Sequence, residues 1–162
     1  MPADRSIRGL RRLIIVMTAF VVAVTFAAVE APTPVYAASE ASQVIYTAKN
    51  QLGKPYRWGA DGLRRYDCSG LVWRVFERNG LTKRIGGKRT ARGYWNWFRD
   101  RGLASKSNPR KGDLVVWGRG KHVGLYIGDG KAISALTTGV KRHGLYGLNV
   151  SFKAFLHVRL SR

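Results

Sequence analysis

The spacing of apolar residues changes near Pro109, and this change limits the folds that the chain can adopt. Before Pro109, apolar residues recur every three or four positions, which is the period of an amphipathic helix. After it, short apolar runs are separated by glycine-rich turns, as in an antiparallel sheet. Helices followed by hairpin-connected strands predict a single α+β domain, in which the helices pack on a β-meander.

The same patterns predict the individual elements. Ser39 or Ser42 can cap the first helix, and Asn79-Gly80 ends the second. The Gly128-Asp129-Gly130 sequence is a strong hairpin signal. We predict three helices, over residues 39–52, 68–79 and 90–101. We predict five strands, over residues 113–117, 122–127, 132–136, 140–143 and 155–160.

Residues 1–37 have the pattern of a secretory signal peptide. Four arginines in the first twelve residues precede 17 uncharged residues, 13–29, and small side chains come just before Ala38. This order of basic end, apolar stretch and small-residue cut site is typical of a cleaved signal. An uncleaved membrane anchor is the alternative, since 17 residues lie at the lower limit for spanning a bilayer. We therefore predict a signal peptide, 1–37, and one exported domain, 38–162.

The charge of the chain indicates a polyanionic partner. The 162 residues include 29 Lys and Arg against 9 Asp and Glu, a formal charge of +20, of which residues 38–162 carry +18. Nucleic acid, an anionic membrane and acidic wall polymers are all candidates. Residues 83–101 interleave seven basic side chains with aromatic ones, a pattern also found in nucleic-acid binding. For an exported protein we expect a helix with a buried aromatic face instead, and wall polymers as the partner.

Cys68 is the one cysteine of the chain, which excludes an intrachain disulfide and a zinc site made of several cysteines. If Asp67 is an N-cap, Cys68 occupies the first helical position. There, free backbone N–H groups and the helix dipole favour a thiolate, so we expect a lowered thiol pKa. Such a thiol suits a nucleophile. The alternative is a small buried apolar side chain.

Three histidines could act as the base for such a nucleophile. His122 begins an apolar strand, His143 ends another, and His157 alternates with apolar residues in the last one. For His157 we expect a partly buried strand histidine. No pair has the spacing of metal ligands on one element, so we predict neither a metal nor another cofactor.

Four motifs, in this order, resemble the NlpC-type cell-wall peptidase family. They are Gly53-Lys54-Pro55-Tyr56-Arg57-Trp58-Gly59, Asp67-Cys68-Ser69-Gly70-Leu71-Val72, Pro109-Arg110-Lys111-Gly112-Asp113-Leu114-Val115 and His122-Val123-Gly124-Leu125-Tyr126-Ile127-Gly128-Asp129-Gly130. The resemblance covers about residues 40–160. It implies a papain-like α+β fold and a cysteine peptidase of peptidoglycan stem peptides. The bond usually cleaved joins D-glutamate to the following diamino acid.

The resemblance also implies roles for individual residues. Cys68 matches the family's nucleophile and His122 its general base. Tyr56 matches a tyrosine that helps to hold the substrate carbonyl. Asp67 and Ser69 match positions that help to place the substrate.

The third catalytic position departs from the family, which has a polar residue twelve positions after the base. Here that position is Ser134. A three-residue hairpin loop would pair Gly124 with Ser134 and place Ser134 on the face of His122. A hydroxyl can accept the imidazole N–H but cannot balance its charge. His143, one strand further on, is the competing candidate for this role.

The predicted function is a secreted, monomeric, cell-wall associated cysteine endopeptidase that contacts a membrane only through its signal segment. We expect peptidoglycan and anionic wall polymers as partners, and no nucleic acid. A basic wall-binding or antimicrobial module without catalysis is one alternative. A papain-like amidase that cuts the glycan–peptide junction is another. The pairing of Cys68 with His122 favours an enzyme over a pure binding module.

Overall fold

The computed structural model describes residues 38–162, so the predicted signal peptide lies outside the described residues. It contains three α-helices, α1 Glu40–Lys49, α2 Cys68–Arg78 and α3 Ala91–Arg99, and one 3₁₀ helix, Thr82–Ile85. The six strands are β1 Ala104–Ser105, β2 Leu114–Trp117, β3 His122–Gly128, β4 Lys131–Leu136, β5 Gly139–Gly144 and β6 Phe152–Leu156. The predicted α+β class is confirmed. Within residues 38–162, no helix has both the length and the apolar character needed to cross a bilayer.

The strands form one antiparallel sheet in the order β1-β6-β2-β3-β4-β5. The predicted meander is the run from β2 to β5, in which each strand pairs with the next along the chain. The last strand then returns across the sheet and pairs with β2. β3, which begins with His122, therefore lies inside the sheet, with a partner on each side.

Side-chain caps fix where the three α-helices begin. Ser39, Asp67 and Thr90 each accept a hydrogen bond from the backbone N–H three residues later. These bonds satisfy N–H groups that have no partner inside the helix. The helix starts therefore agree with the sequence prediction, whereas the predicted ends run too far. Leu52, the last residue of the first predicted helix, lies beyond α1 and is 43% exposed.

The helices cover one face of the sheet and form the larger core with it. From α2, Leu71, Val75 and Phe76 are fully buried in the same cluster as Val123 and Leu125 of β3. A smaller cluster on the opposite face contains Trp117, Tyr126 and Phe155. Because Leu71, Val75 and Phe76 are fully buried against the sheet, α2 is held firmly beside β3.

Gly70 explains how close the start of α2 comes to the preceding loop. A side chain at Gly70 would collide with the backbone of Ala60 and Asp61. The backbone N–H of Asp67 donates to the carbonyl of Ala60 at 2.7 Å, which draws the loop over the helix start. The small residue after Cys68 and Ser69 is therefore required by packing.

The last strand differs from its prediction. β6 ends at Leu156, whereas we predicted a strand over 155–160. The buried carboxylate of Asp113 explains the difference, since it accepts a hydrogen bond from the backbone N–H of Val158 at 3.0 Å. This side-chain bond replaces a ladder bond and turns the chain out of the sheet. The short β1 and the 3₁₀ helix were not predicted because neither is long enough to produce a hydrophobic period.

Candidate active site

Asp67 holds both the start of α2 and the loop in front of it. Its Oδ1 accepts from the backbone N–H of Gly70 at 2.6 Å and from the Ser69 hydroxyl at 2.9 Å, while its Oδ2 accepts from the N–H of Gly59 at 3.0 Å. The predicted N-cap is confirmed, and Cys68 occupies the first position of the helix. Asp67 thus fixes the backbone on both sides of the thiol.

The expected lowering of the thiol pKa is wrong for the resting domain. Burial raises the pKa of Cys68, and the negative charge of Asp67 adds to the effect. Backbone N–H groups of Val123, Ser69 and Cys68 itself favour the thiolate and oppose the rise. Desolvation is the largest contribution to the shift. A thiolate loses more hydration free energy on burial than it gains from the backbone N–H groups at the helix terminus. Cys68 is therefore a neutral thiol at rest.

His122 begins a chain of hydrogen bonds that runs across three strands. Its Nε2 lies 2.8 Å from the Ser134 hydroxyl oxygen, which lies 2.7 Å from Nε2 of His143. The other nitrogen of His143, Nδ1, lies 3.0 Å from the carbonyl oxygen of Gly144. We call His122, Ser134 and His143 the relay. The structure thus brings together both candidates for the third position.

The carbonyl at the end of the relay determines the proton positions in it. A carbonyl only accepts, so Nδ1 of a neutral His143 carries its proton and Nε2 accepts. The Ser134 hydroxyl then donates to His143 and accepts from Nε2–H of His122. This leaves Nδ1 of His122 unprotonated. The relay therefore selects the tautomer of His122 that can take a proton from a thiol.

His122 is also held neutral. Burial lowers the pKa of His122 to about 4, and the nearby His143 contributes in the same direction. No hydrogen bond joins the Cys68 thiol to the imidazole among the described residues. Because both groups are neutral and no hydrogen bond joins them among residues 38–162, they form a thiol and an imidazole at rest rather than an ion pair.

The strand register predicted for the hairpin agrees with the structure. Leu125 pairs with Ile133, so Gly124 lies opposite Ser134, and a Cβ on Gly124 would collide with Ser134. His122 reaches Ser134 diagonally, two positions along the ladder. His143 in turn pairs with Ala132, which makes it the diagonal neighbour of Ser134 on the next strand.

Trp117 packs against both histidines of the relay, and the sequence analysis did not identify it. Its ring centre lies 5.4 Å from that of His122 and 5.5 Å from that of His143. Trp117 is fully buried, and its indole N–H donates to the carbonyl of Leu145 at 2.7 Å. Its position directly opposite His122 in the ladder was the signal that could have revealed it.

Tyr56, the other predicted substrate residue, lies on the loop before α2. Burial raises the pKa of Tyr56, and negative charge at Cys68 or Asp67 would raise it further. Tyr56 is paired through an isolated bridge to Tyr66, which fixes the loop backbone. The hydroxyl is therefore kept protonated and can donate a hydrogen bond.

An open cavity of about 280 Å³ gives access to Cys68. The loop contributes Trp58, whose side chain is 85% exposed, and the start of α3 contributes Arg92. Lys121 lines the same cavity just before β3. The motif containing Tyr56 already included Trp58, but nothing local in the sequence indicates the two basic residues.

His157 belongs to a second cluster, separate from the relay. It lies just after β6 rather than in a strand. Its Nδ1 is 2.9 Å from Oδ2 of Asp113, and its Nε2 is 2.7 Å from the hydroxyl of Ser105. The prediction of a partly buried histidine holds, but the carboxylate partner was not foreseen. Within residues 38–162, no three His, Cys, Asp or Glu side chains are grouped so as to hold a metal ion.

Comparison with protein families gives a match to the NlpC/P60 family over residues 53–159. Among individual proteins, the chain is 37% identical over 108 residues to the probable endopeptidase p60 of Listeria seeligeri, covering 64% of this chain and 19% of that protein. It is 43% identical over 95 residues to the murein DD-endopeptidase MepH of Escherichia coli, covering 55% of this chain and 34% of that protein. The chain thus spans only a part of the length of these relatives.

Solved structures show the same architecture. An NlpC/P60 family protein from Bacillus cereus superposes with a TM-score of 0.61 at 26% identity, covering 73% of this chain and 40% of that one. The peptidoglycan hydrolase RipB of Mycobacterium tuberculosis superposes with a TM-score of 0.55 at 26% identity, covering 75% and 63%. These matches confirm the predicted papain-like fold. On its fold and on the match over residues 53–159, the chain belongs to the NlpC/P60 family.

Proposed function

We propose that residues 38–162 form a cysteine endopeptidase that hydrolyses peptidoglycan stem peptides. The observation that carries the proposal is the placement of Cys68 at the start of α2, beside the backbone N–H of Val123, the residue that follows His122. Relatives named endopeptidases support a peptidase activity. We propose the bond between D-glutamate and the diamino acid as the one cleaved.

Hydrolysis begins with a neutral pair of groups. Nδ1 of His122 takes the thiol proton as the Cys68 sulfur attacks the amide carbonyl, so that a C–S bond forms and the carbonyl oxygen becomes an oxyanion. Backbone N–H groups at the start of α2 and the protonated Tyr56 hydroxyl are the available donors for that oxyanion. Because thiolate and imidazolium arise only during attack, the burial that raises the thiol pKa does not prevent the reaction.

The same imidazole completes the cycle. His122 gives its proton to the leaving amine as the C–N bond breaks, which leaves a thioester on Cys68. Water, deprotonated by Nδ1 of His122, then attacks the thioester, the C–S bond breaks to release the carboxylic acid product, and the imidazolium returns its proton to the Cys68 sulfur. Ser134 accepts Nε2–H throughout, so the ring keeps one orientation during both proton transfers.

The charge and the N-terminal pattern extend the proposal to location. We place the mature domain outside the cell, with residues 1–37 as its secretion signal. Its +18 charge attracts it to anionic wall polymers. We propose a monomer that binds no nucleic acid, contacts a membrane only through the signal segment, and works without a metal or other cofactor.

Mass spectrometry of fragments released from purified peptidoglycan tests the bond. We expect free D-glutamyl carboxylates and free diamino acid amines, with the glycan–peptide amide intact. Cleavage at the glycan–peptide junction would instead establish the amidase alternative. Wall binding without release of any fragment would establish the non-catalytic alternative.

A further inference from the structure

A second cavity, of about 430 Å³, lies outside the candidate active site. Lys83 and Arg84 of the 3₁₀ helix line one side, and Arg101 and Arg159 line the rest of its charged wall. Its apolar surface comes from Trp97 and Leu103. We call this the basic pocket.

Most of the charge in the basic pocket is uncompensated. Arg84 pairs with Glu40 at 3.1 Å, but Lys83, Arg101 and Arg159 form no ion pair with any of residues 38–162. The three unpaired side chains are exposed. Like charges collected around one concavity repel each other, so a bound anion would remove an unfavourable interaction as well as form favourable ones.

The side chains of Arg101 and His157 are already held in place by contacts within the domain. The guanidinium of Arg101 stacks 4.3 Å from the ring centre of Trp97 and donates to the Trp97 carbonyl at 3.1 Å. Such stacking is a property of arginine that lysine lacks, and it leaves the remaining N–H groups free for a planar or tetrahedral anion. His157 forms one edge but offers no free nitrogen, since Ser105 and Asp113 occupy both.

We propose that the basic pocket binds a phosphodiester polymer of the cell wall. Arginine forks and a lysine match phosphate oxygens, and several cations around one cavity match an anion with a charge on every repeat. The apolar surface of Trp97 and Leu103 suits the carbon linkers between phosphates. The choice of a wall phosphodiester rests on the proposed extracellular function, whereas the binding of an anion rests on the pocket alone.

The basic pocket and the cavity that leads to Cys68 lie near opposite ends of α3. Residues at the start of α3 line the cavity that leads to Cys68, while Trp97 and Arg101 lie at its other end. A helix of nine residues is roughly 13 Å long. A polymer held in the basic pocket therefore keeps the domain on the wall with the active-site cavity open to neighbouring stem peptides.

The test compares two double variants of equal charge. Lys83→Gln with Arg101→Gln removes two cations from the pocket, and Lys106→Gln with Lys131→Gln removes two exposed lysines elsewhere. Calorimetric titration with poly(glycerol phosphate) at 0.15 M salt should show at least about a tenfold loss of affinity for the first pair, since two charge-assisted contacts are lost. The second pair should lose no more than about threefold. Both should hydrolyse a soluble muropeptide at the wild-type rate.

Three results would overturn the proposal. An equal loss in the two double variants would show that binding follows total charge rather than the pocket. Binding of polyglutamate as tight as that of poly(glycerol phosphate) would show that phosphate is not recognised. Absence of binding by the wild-type domain would exclude the site. All titrations can use the Cys68→Ala background, so failure of the peptidase assignment would leave the result unchanged.

Discussion

The domain contains two histidine clusters, and in each a serine hydroxyl bonds a ring nitrogen of the histidine. We assign a structural role to one cluster and a catalytic role to the other. His157 has a serine on one nitrogen and the carboxylate of Asp113 on the other, which are the partners of a hydrolase triad. His122 has only Ser134, and beyond it a second histidine. Yet the cluster that lacks a carboxylate is the one that begins beside Cys68, the proposed nucleophile.

The surroundings explain this difference. Asp113 is fully buried, and it accepts backbone N–H bonds from Arg110 at 2.9 Å and Val158 at 3.0 Å as well as bonding His157. That carboxylate therefore ties the end of the chain to the start of β2. His122 instead leaves Nδ1 free at the end of an inner strand, beside a helix terminus. Both ring nitrogens of His157 have hydrogen-bond partners, which indicates a structural role. Nδ1 of His122 has no such partner among residues 38–162, so it is available for proton transfer.

Substituting each histidine should separate the two clusters most strongly. His122→Ala should lower kcat/KM on a soluble muropeptide by about 10²–10⁴-fold, because the proposed general base and acid is lost. His157→Gln should retain nearly wild-type turnover. Steady-state kinetics of the two variants measures this. If the His157 variant lost as much activity as the His122 variant, the assignment of the two clusters would be wrong.

Asp113→Asn should lower the stability of the domain and leave its activity unchanged, in contrast to His122→Ala. The amide nitrogen cannot accept the bonds that the carboxylate accepts, so a buried group is left without its partner, and stability should fall by about 1–3 kcal/mol. Activity of the folded fraction should be unchanged. Asp100, whose side chain is 57% exposed and pairs with the adjacent Arg99, offers a control: Asp100→Asn should change stability by no more than about 0.5 kcal/mol. Urea unfolding measures the stability of both variants. An equal loss of unfolding free energy in Asp113→Asn and Asp100→Asn would contradict this account.

Ser134→Ala should have a smaller effect within the relay. A neutral hydrogen bond contributes about 0.5–1.5 kcal/mol, so kcat should fall by roughly two- to tenfold with little change in KM. His143→Ala should have a smaller effect still, since it acts on the imidazole only through Ser134. A collapse of kcat in the His143 variant alone would show that the order of the relay is wrong.

The pH profile should report the burial of His122. With its pKa lowered to about 4, the imidazole stays neutral well below the range of an ordinary histidine, so kcat/KM should fall only as the pH approaches about 4. His143→Ala should move this acid limb upward, because the neighbouring charge that lowers the pKa is removed. An acid limb near pH 6.5 in the wild type would contradict the burial argument.

Local chemistry made much of the site predictable. Ser39, Asp67 and Thr90 set helix starts by bonds within three residues, and the hairpin loop set the register that brings Ser134 to His122. The thiol pKa was not predictable, because burial depends on how α2 packs on the sheet. The end of β6 and the role of Asp113 depend on a contact 45 residues apart along the chain, which no periodicity records.

The central claim is that Cys68 is the nucleophile, and one comparison tests it most directly. Purified peptidoglycan should be incubated with the wild-type domain and with Cys68→Ala, at equal concentration and with folding verified by circular dichroism. Mass spectrometry should detect cleaved stem peptides with the wild type and none with the variant. Stem-peptide cleavage by folded Cys68→Ala at the wild-type rate would contradict the account.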